Sequence, residues 1–125
     1  MAGQRILVVD DEAEIVELLR DVLAAEGYVV DAARDAGTAL QLIRENIYDV
    51  ALLDFNLPDM DGVMLHHQIR QMDAELASST IFMSGLLQSE QNLGYYLSHS
   101  GGFLAKPFDI RDVLRQIYGV LGEES

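Results

Sequence analysis

The sequence predicts an α/β fold with a doubly wound, five-stranded parallel sheet and five helices. Three observations predict it. Short apolar runs alternate with segments of helical periodicity along the whole chain. The runs are apolar without polar alternation, as in strands covered on both faces. Strands that are parallel need crossover helices between them, and the alternation supplies those helices.

The elements follow in order. Ile6-Leu7-Val8-Val9 reads as the first strand. Ile15, Leu18, Leu19, Val22 and Leu23 recur at i, i+3, i+4, i+7 and i+8 and mark one face of a helix that Gly27 ends. Tyr28-Val29-Val30 is a second strand, polar at its end (Asp31) as an edge strand can be. Ala36, Ala39, Leu40 and Ile43 mark a second helix, and Val50–Leu53 a third strand. Leu65, Ile69 and Met72 mark the third helix, Ile81-Phe82-Met83 the fourth strand, and Gln88–Ser98 a weakly patterned fourth helix. Phe103-Leu104-Ala105 is the fifth strand. The stripe Ile110, Val113, Leu114, Ile117 and Leu121, with Asp109 as its cap, is the fifth helix.

Composition narrows the function. The 125 residues, half of them hydrophobic, suit one domain over residues 1–125. Without cysteine there is no disulfide, thiolate metal site or thiol nucleophile. A net charge of −13 opposes binding to a phosphate backbone, so no nucleic acid is expected as a direct partner. Neither a membrane span nor a signal-peptide core is visible, and a cytoplasmic location is expected.

In doubly wound sheets the functional crevice lies beyond the carboxyl ends of the strands, where strand order reverses. The first strand ends in Asp10-Asp11, the third in Asp54, the fourth in Ser84 and the fifth in Lys106-Pro107. The fold therefore gathers three carboxylates, a hydroxyl and an ammonium at one rim. Taken singly, Asp11 reads as a helix cap, Asp54 as a turn residue and Lys106 as a surface lysine. Taken together they read as a site. Two carboxylates ~4 Å apart repel by about 4 kcal/mol at an effective dielectric of ~20. A divalent cation relieves this, and an all-oxygen donor set favours Mg²⁺, with Mn²⁺ the alternative. A carboxylate beside such a cation can attack phosphorus. Lys106 would then contact a phosphoryl oxygen and Ser84 would donate a hydrogen bond to it.

These residues resemble the receiver domain of bacterial two-component response regulators, of the chemotaxis-regulator kind. The resemblance rests on Asp10-Asp11, the stretch Asp54-Phe55-Asn56-Leu57-Pro58-Asp59-Met60-Asp61-Gly62, Ser84-Gly85 and Lys106-Pro107-Phe108, in order and each at a strand end. It implies a flavodoxin-like sheet in the order 2-1-3-4-5. It implies that Asp54 accepts a phosphoryl group from the phosphohistidine of a sensor histidine kinase or phosphotransfer protein. Mg²⁺ would be held by the side chains of Asp11 and Asp54 and the backbone carbonyl of Asn56, with Asp10 acting through water. The Lys106–Pro107 peptide would be cis. Ser84 and Phe103 would be the switch pair. Tyrosine is common at the place of Phe103, so a step needing a phenol hydroxyl has no group here. Output, and a homodimer, would use the fourth helix, fifth strand and fifth helix, where Tyr95, Tyr96 and Tyr118 are candidate contacts. Asn56 and Leu86 flank the acceptor and would bear on phosphoryl lifetime. The domain would catalyse only its own phosphorylation and dephosphorylation.

Three other readings compete. A Mg²⁺-dependent aspartyl-phosphate phosphatase or phosphotransferase on a small substrate shares nucleophile and metal, but the sequence lacks its Asp-x-Asp spacing and inserted cap. A flavin or nucleotide module would need a Gly/Ser/Thr-rich loop after the first strand, where Asp10-Asp11-Glu12 stands. A receiver that binds partners without phosphorylation would not need the acidic set. The adjacent His66 and His67 point ~100° apart on a helix and are read as surface or partly packed residues. His99 is read as a helix-end residue.

Overall fold

The computed structural model describes residues 3–85 and 101–122. Five parallel strands form one sheet: β1 (Arg5–Val9), β2 (Val29–Ala33), β3 (Val50–Asp54), β4 (Thr80–Ser84) and β5 (Gly102–Ala105). Their order is β2-β1-β3-β4-β5. The chain runs outward from β1 to β2 and then crosses back to β3, so strand order reverses at β1, between the ends that carry Asp10 and Asp54.

The inner strands β1, β3 and β4 bury both faces, which is why their sequences do not alternate in polarity, while the edge strands β2 and β5 are partly exposed. Leu7, Val9, Ala51, Leu53 and Phe82 pack on one side with α2 (Ala36–Glu45), α3 (Gly62–Met72) and α4 (Ala74–Ser78). Ile6, Val8, Val50, Leu52, Ile81 and Met83 pack on the other with α1 (Ala13–Ala25) and α5 (Ile110–Leu121).

Local chemistry sets the helix ends. Asp35 accepts a hydrogen bond from Thr38 N (2.7 Å), Asp61 from Met64 N (2.8 Å) and Asp109 from Asp112 N (2.9 Å), which satisfies N–H groups that helix starts leave open. Beyond α1, Gly27 takes φ +93°, a left-handed conformation that costs a glycine little.

The structure corrects several expectations. In α1, Leu19 and Leu23 are buried and Ile15 packs on the core as expected, but Val16 is buried as well and Leu18 is 44% exposed. Ile110 and Met72 are likewise exposed at the ends of their helices. The second strand extends to Ala33, because Asp31 is held within it by Arg5 and Tyr48. The short helix α4 was not foreseen, since five residues are too few to show a period. His66 is fully buried: its ring packs on Phe82 (centroids 5.1 Å apart) and Nε2 lies 2.8 Å from Ala77 O of α4. His67 is exposed, as read. The expected helix over Gln88–Ser98, and with it Leu86, Tyr95, Tyr96 and His99, lies outside the described residues.

A carboxylate cluster at the rim of the sheet

The two acidic loops meet. Ligand atoms of Asp10, Asp11, Glu12 and Asp54 all lie within 4.8 Å of one another. Asp10 and Asp54 are buried, while Asp11 and Glu12 are exposed. Lys106 reaches in from the end of β5, with Nζ 2.8 Å from Asp10 Oδ2, 3.2 Å from Glu12 Oε1 and 3.6 Å from Asp54 Oδ2. The Lys106–Pro107 peptide is cis. Ser84 is buried at the end of β4, paired in register with Ala105. Phe103 lies two residues short of that rim, opposite Phe82, and is partly exposed.

The backbone explains why these side chains converge. Asp10 Oδ1 accepts from Glu12 N (2.9 Å) and turns the chain into α1, so Asp11 is not the helix cap. After Asp54 the chain closes tightly: Gly62 N donates to Phe55 O (2.7 Å), and Asn56 and Asp61 form a bridge. A Cβ on Gly62 would lie 2.8 Å from Phe55 Cα and 2.9 Å from Asp54 O, so this approach requires glycine.

The electrostatics are those of crowded carboxylates. Burial, and then the charge of Asp10, push the Asp54 carboxyl up from 3.8 to about 6, against the pull of Lys106 and the Asn56 N–H. Burial alone would depress the Lys106 ammonium, but Asp10, Asp54 and Glu12 outweigh it and hold it above its ordinary value. Four carboxylates gather around one ammonium among the described residues, and it contacts three of them, Asp10, Glu12 and Asp54. A hard divalent cation fits this donor set: the oxygens are close together, their charge is in excess and two of them are exposed.

The sequence reading missed three contributors. Glu12 joins the cluster and Lys106; its signal was its place in the acidic run. Arg34 donates to Asp11 O through Nε (3.2 Å) and Nη2 (2.9 Å). Asp59 accepts from Ala36 N (2.9 Å) and Gly37 N (3.0 Å). No spacing rule exposes the last two, because each acts between loops distant in sequence.

Residues 6–118 match the response regulator receiver domain family. The transcriptional regulatory protein DltR of Streptococcus agalactiae is 33% identical over 90% of this chain and 50% of its own length. The chain thus spans about half the length of that curated relative. A CheY-like receiver domain protein from Methanospirillum hungatei superposes with a TM-score of 0.89 at 31% identity, covering 97% of this chain and 95% of that one. The response regulator TrrA of Thermotoga maritima, solved in complex with Mg²⁺–BeF, has a TM-score of 0.82 at 27% identity, covering 94% of this chain and 98% of that one. With the match spanning nearly the whole chain, this protein belongs to the response regulator receiver domain family of two-component signalling.

Proposed function

We propose that Asp54 is the phosphoryl acceptor. The observation that carries this reading is the meeting of Asp10, Asp11 and Asp54 from separate strand ends with the Lys106 ammonium. An Asp54 oxygen attacks phosphorus, the P–N bond to the donor imidazole breaks, and the electron pair leaves on the imidazole nitrogen. The product is an acyl phosphate. Only the ionised carboxylate is nucleophilic, and with a carboxyl raised to about 6 it is mostly ionised at neutral pH. Lys106 would move from Asp10 toward an incoming phosphoryl oxygen, and the Ser84 hydroxyl would donate to another.

Asp11, Asp54 and the Asn56 carbonyl would hold Mg²⁺, with Asp10 acting through water. Mn²⁺ would serve in its place. When bound, the ion supplies charge neutralisation at the phosphoryl group. TrrA, a relative of the same fold, carries Mg²⁺–BeF in its structure, which supports this assignment. The donor would be a sensor histidine kinase or a phosphotransfer protein in the cytoplasm. Ser84 and Phe103 would relay the change to β5, α5 and the segment before β5. In a longer protein that surface would serve an effector domain or a homodimer. The domain would act on no substrate but its own acyl phosphate. No helix among the described residues is long and apolar enough to cross a membrane.

The test is intact mass after incubation with a small-molecule phosphodonor and Mg²⁺. Wild type gains one phosphoryl group and Asp54→Asn gains none. Unmodified wild type under forcing conditions would favour a receiver that signals by binding alone.

A further inference from the structure

The turn between β2 and α2 touches both acidic loops, and it does so through side chains. Arg34, before α2, grips the Asp11 carbonyl with two N–H groups, at 2.9 and 3.2 Å. Three residues past Asn56, Asp59 places its two carboxylate oxygens on successive backbone N–H groups of α2, Ala36 at 2.9 Å and Gly37 at 3.0 Å. These hydrogen bonds hold the Asp59 carboxyl below its ordinary value. The same turn is fixed to the sheet where Asp10 N donates to Ala33 O (3.1 Å), and Asp35 caps α2. Asp11 and Asp59 thus hang from one short stretch, residues 33–37.

We propose that this stretch is a strap, and that Arg34 and Asp59 are positioning residues that set the spacing between the Asp11 loop and the Asp54–Asn56 loop for a divalent cation. The inference rests on the reading of Asp11, Asp54 and Asn56 as the cation's ligands. Neither Arg34 nor Asp59 would touch the ion. Arg34 fixes the backbone from which the Asp11 side chain projects. Asp59 fixes the loop that carries the Asn56 carbonyl. A ligand group held in place by an outer partner loses less freedom on binding, which is how such partners raise metal affinity.

The sign of the effect separates position from charge. Arg34 is a cation near an anionic site. If its charge were all that mattered, removing it would tighten cation binding. The strap predicts the opposite. Asp59 gives the complementary case: lost charge would make Asp59→Asn and Asp59→Ala equally weak, whereas lost position spares Asn in part, since it keeps one of the two acceptor oxygens.

The experiment titrates the full chain with Mn²⁺, reading free ion by electron paramagnetic resonance. Circular dichroism checks that each variant is folded. Arg34→Ala should weaken binding about tenfold, the lower end for loss of a ligand-orienting partner. Arg34→Gln, which places an amide N–H where Nε stands but has no group at Nη2, should recover part of that loss. Asp59→Ala should weaken binding by a similar factor, and Asp59→Asn, which keeps one acceptor for the two N–H groups, should weaken it by less. Because both residues act through one turn, the double Ala variant should lose less than the product of the two single losses. Unchanged or tighter binding in Arg34→Ala overturns the proposal, as does equal weakening in Asp59→Asn and Asp59→Ala. Wild type that binds no Mn²⁺ sinks instead the ligand assignment beneath it.

Discussion

Toward the amino end of the sheet, Arg5 donates to Asp31 (3.0 Å) and Asn46 (3.2 Å), and its guanidinium lies 5.6 Å from the Tyr48 ring centre. Tyr48 OH donates to the same Asp31 oxygen (2.7 Å), and Asp49 takes the backbone N–H of Arg5 (2.8 Å). Two carboxylates there have a guanidinium, a phenol and an amide to answer them. At the carboxyl end, four carboxylates answer to the one Lys106 ammonium, a formal excess of three negative charges among the described residues. Arg34 is close by but spends its donors on a backbone carbonyl. Both ends set carboxylates against a basic side chain. One is matched in charge, each carboxylate having its donor, although Arg5 Nε is buried without a hydrogen-bond partner. The other is left short of positive charge at the place where the fold's topology opens a crevice, and that shortfall is what a cation and a phosphoryl group would meet.

The largest consequence concerns Asp54 itself. A carboxyl moved from 3.8 to about 6 in the folded state holds its proton where the unfolded chain has released it. Below about pH 4 the group is neutral in both states and costs nothing. As pH rises toward 6 the unfolded chain gains stability relative to the folded one, and above 6 the full cost applies. The change in pKa corresponds to roughly 3 kcal/mol, an upper bound. In chelator at pH 7, Asp54→Asn should therefore be more stable than wild type by up to about 3 kcal/mol, with the gain shrinking to zero by about pH 4. Denaturant melts across that window measure it. A variant no more stable than wild type at pH 7 would mean that the crowded carboxylates are already compensated.

The same shortfall predicts a ligand effect of nearly equal size at one end only. A cation that binds the folded state alone stabilises it by about 2.7 kcal/mol at a hundredfold excess over its dissociation constant. Mg²⁺ should raise the melting temperature of wild type, and Asp11→Ala should lose that response. An unchanged melting point for wild type in excess Mg²⁺ would count against the cation site.

The contrast also shows what the sequence could and could not reveal. Asp10, Asp54, Ser84 and Lys106 were legible because each follows directly on an apolar run, and a parallel sheet brings strand ends together whatever the loops do. Strand order followed from the resemblance. The amino-end network was not legible: Arg5, Asp31 and Tyr48 stand 26 and 17 residues apart and follow no period. Asp31 read as the end of a strand because its polarity hides the contacts that keep it within one. His66 was misread for a related reason. It faces α4, an element too short to leave a pattern, and without α4 its side of α3 looks solvent-facing. Glu12 shows the limit on the other side, since an acidic run announces charge without saying which members reach the lysine.

The smallest effect should come from the charge-matched end, and it should behave differently. Burial, then the hydrogen bond to Asp31, push the Tyr48 phenol well above its ordinary range, so the hydroxyl remains a donor at any working pH. Tyr48→Phe removes that donor but leaves Asp31 with Arg5. A hydrogen bond lost while the partner keeps another costs about 1 kcal/mol. That loss should be the same in chelator and in Mg²⁺, since the proposed cation ligands lie at the other end of the sheet, and phosphoryl uptake at Asp54 should be unchanged. A loss that varied with Mg²⁺ would couple the two ends of the sheet. β1 would then transmit between Arg5 and Asp10, rather than simply carrying a matched charge at one end and a deficient set at the other.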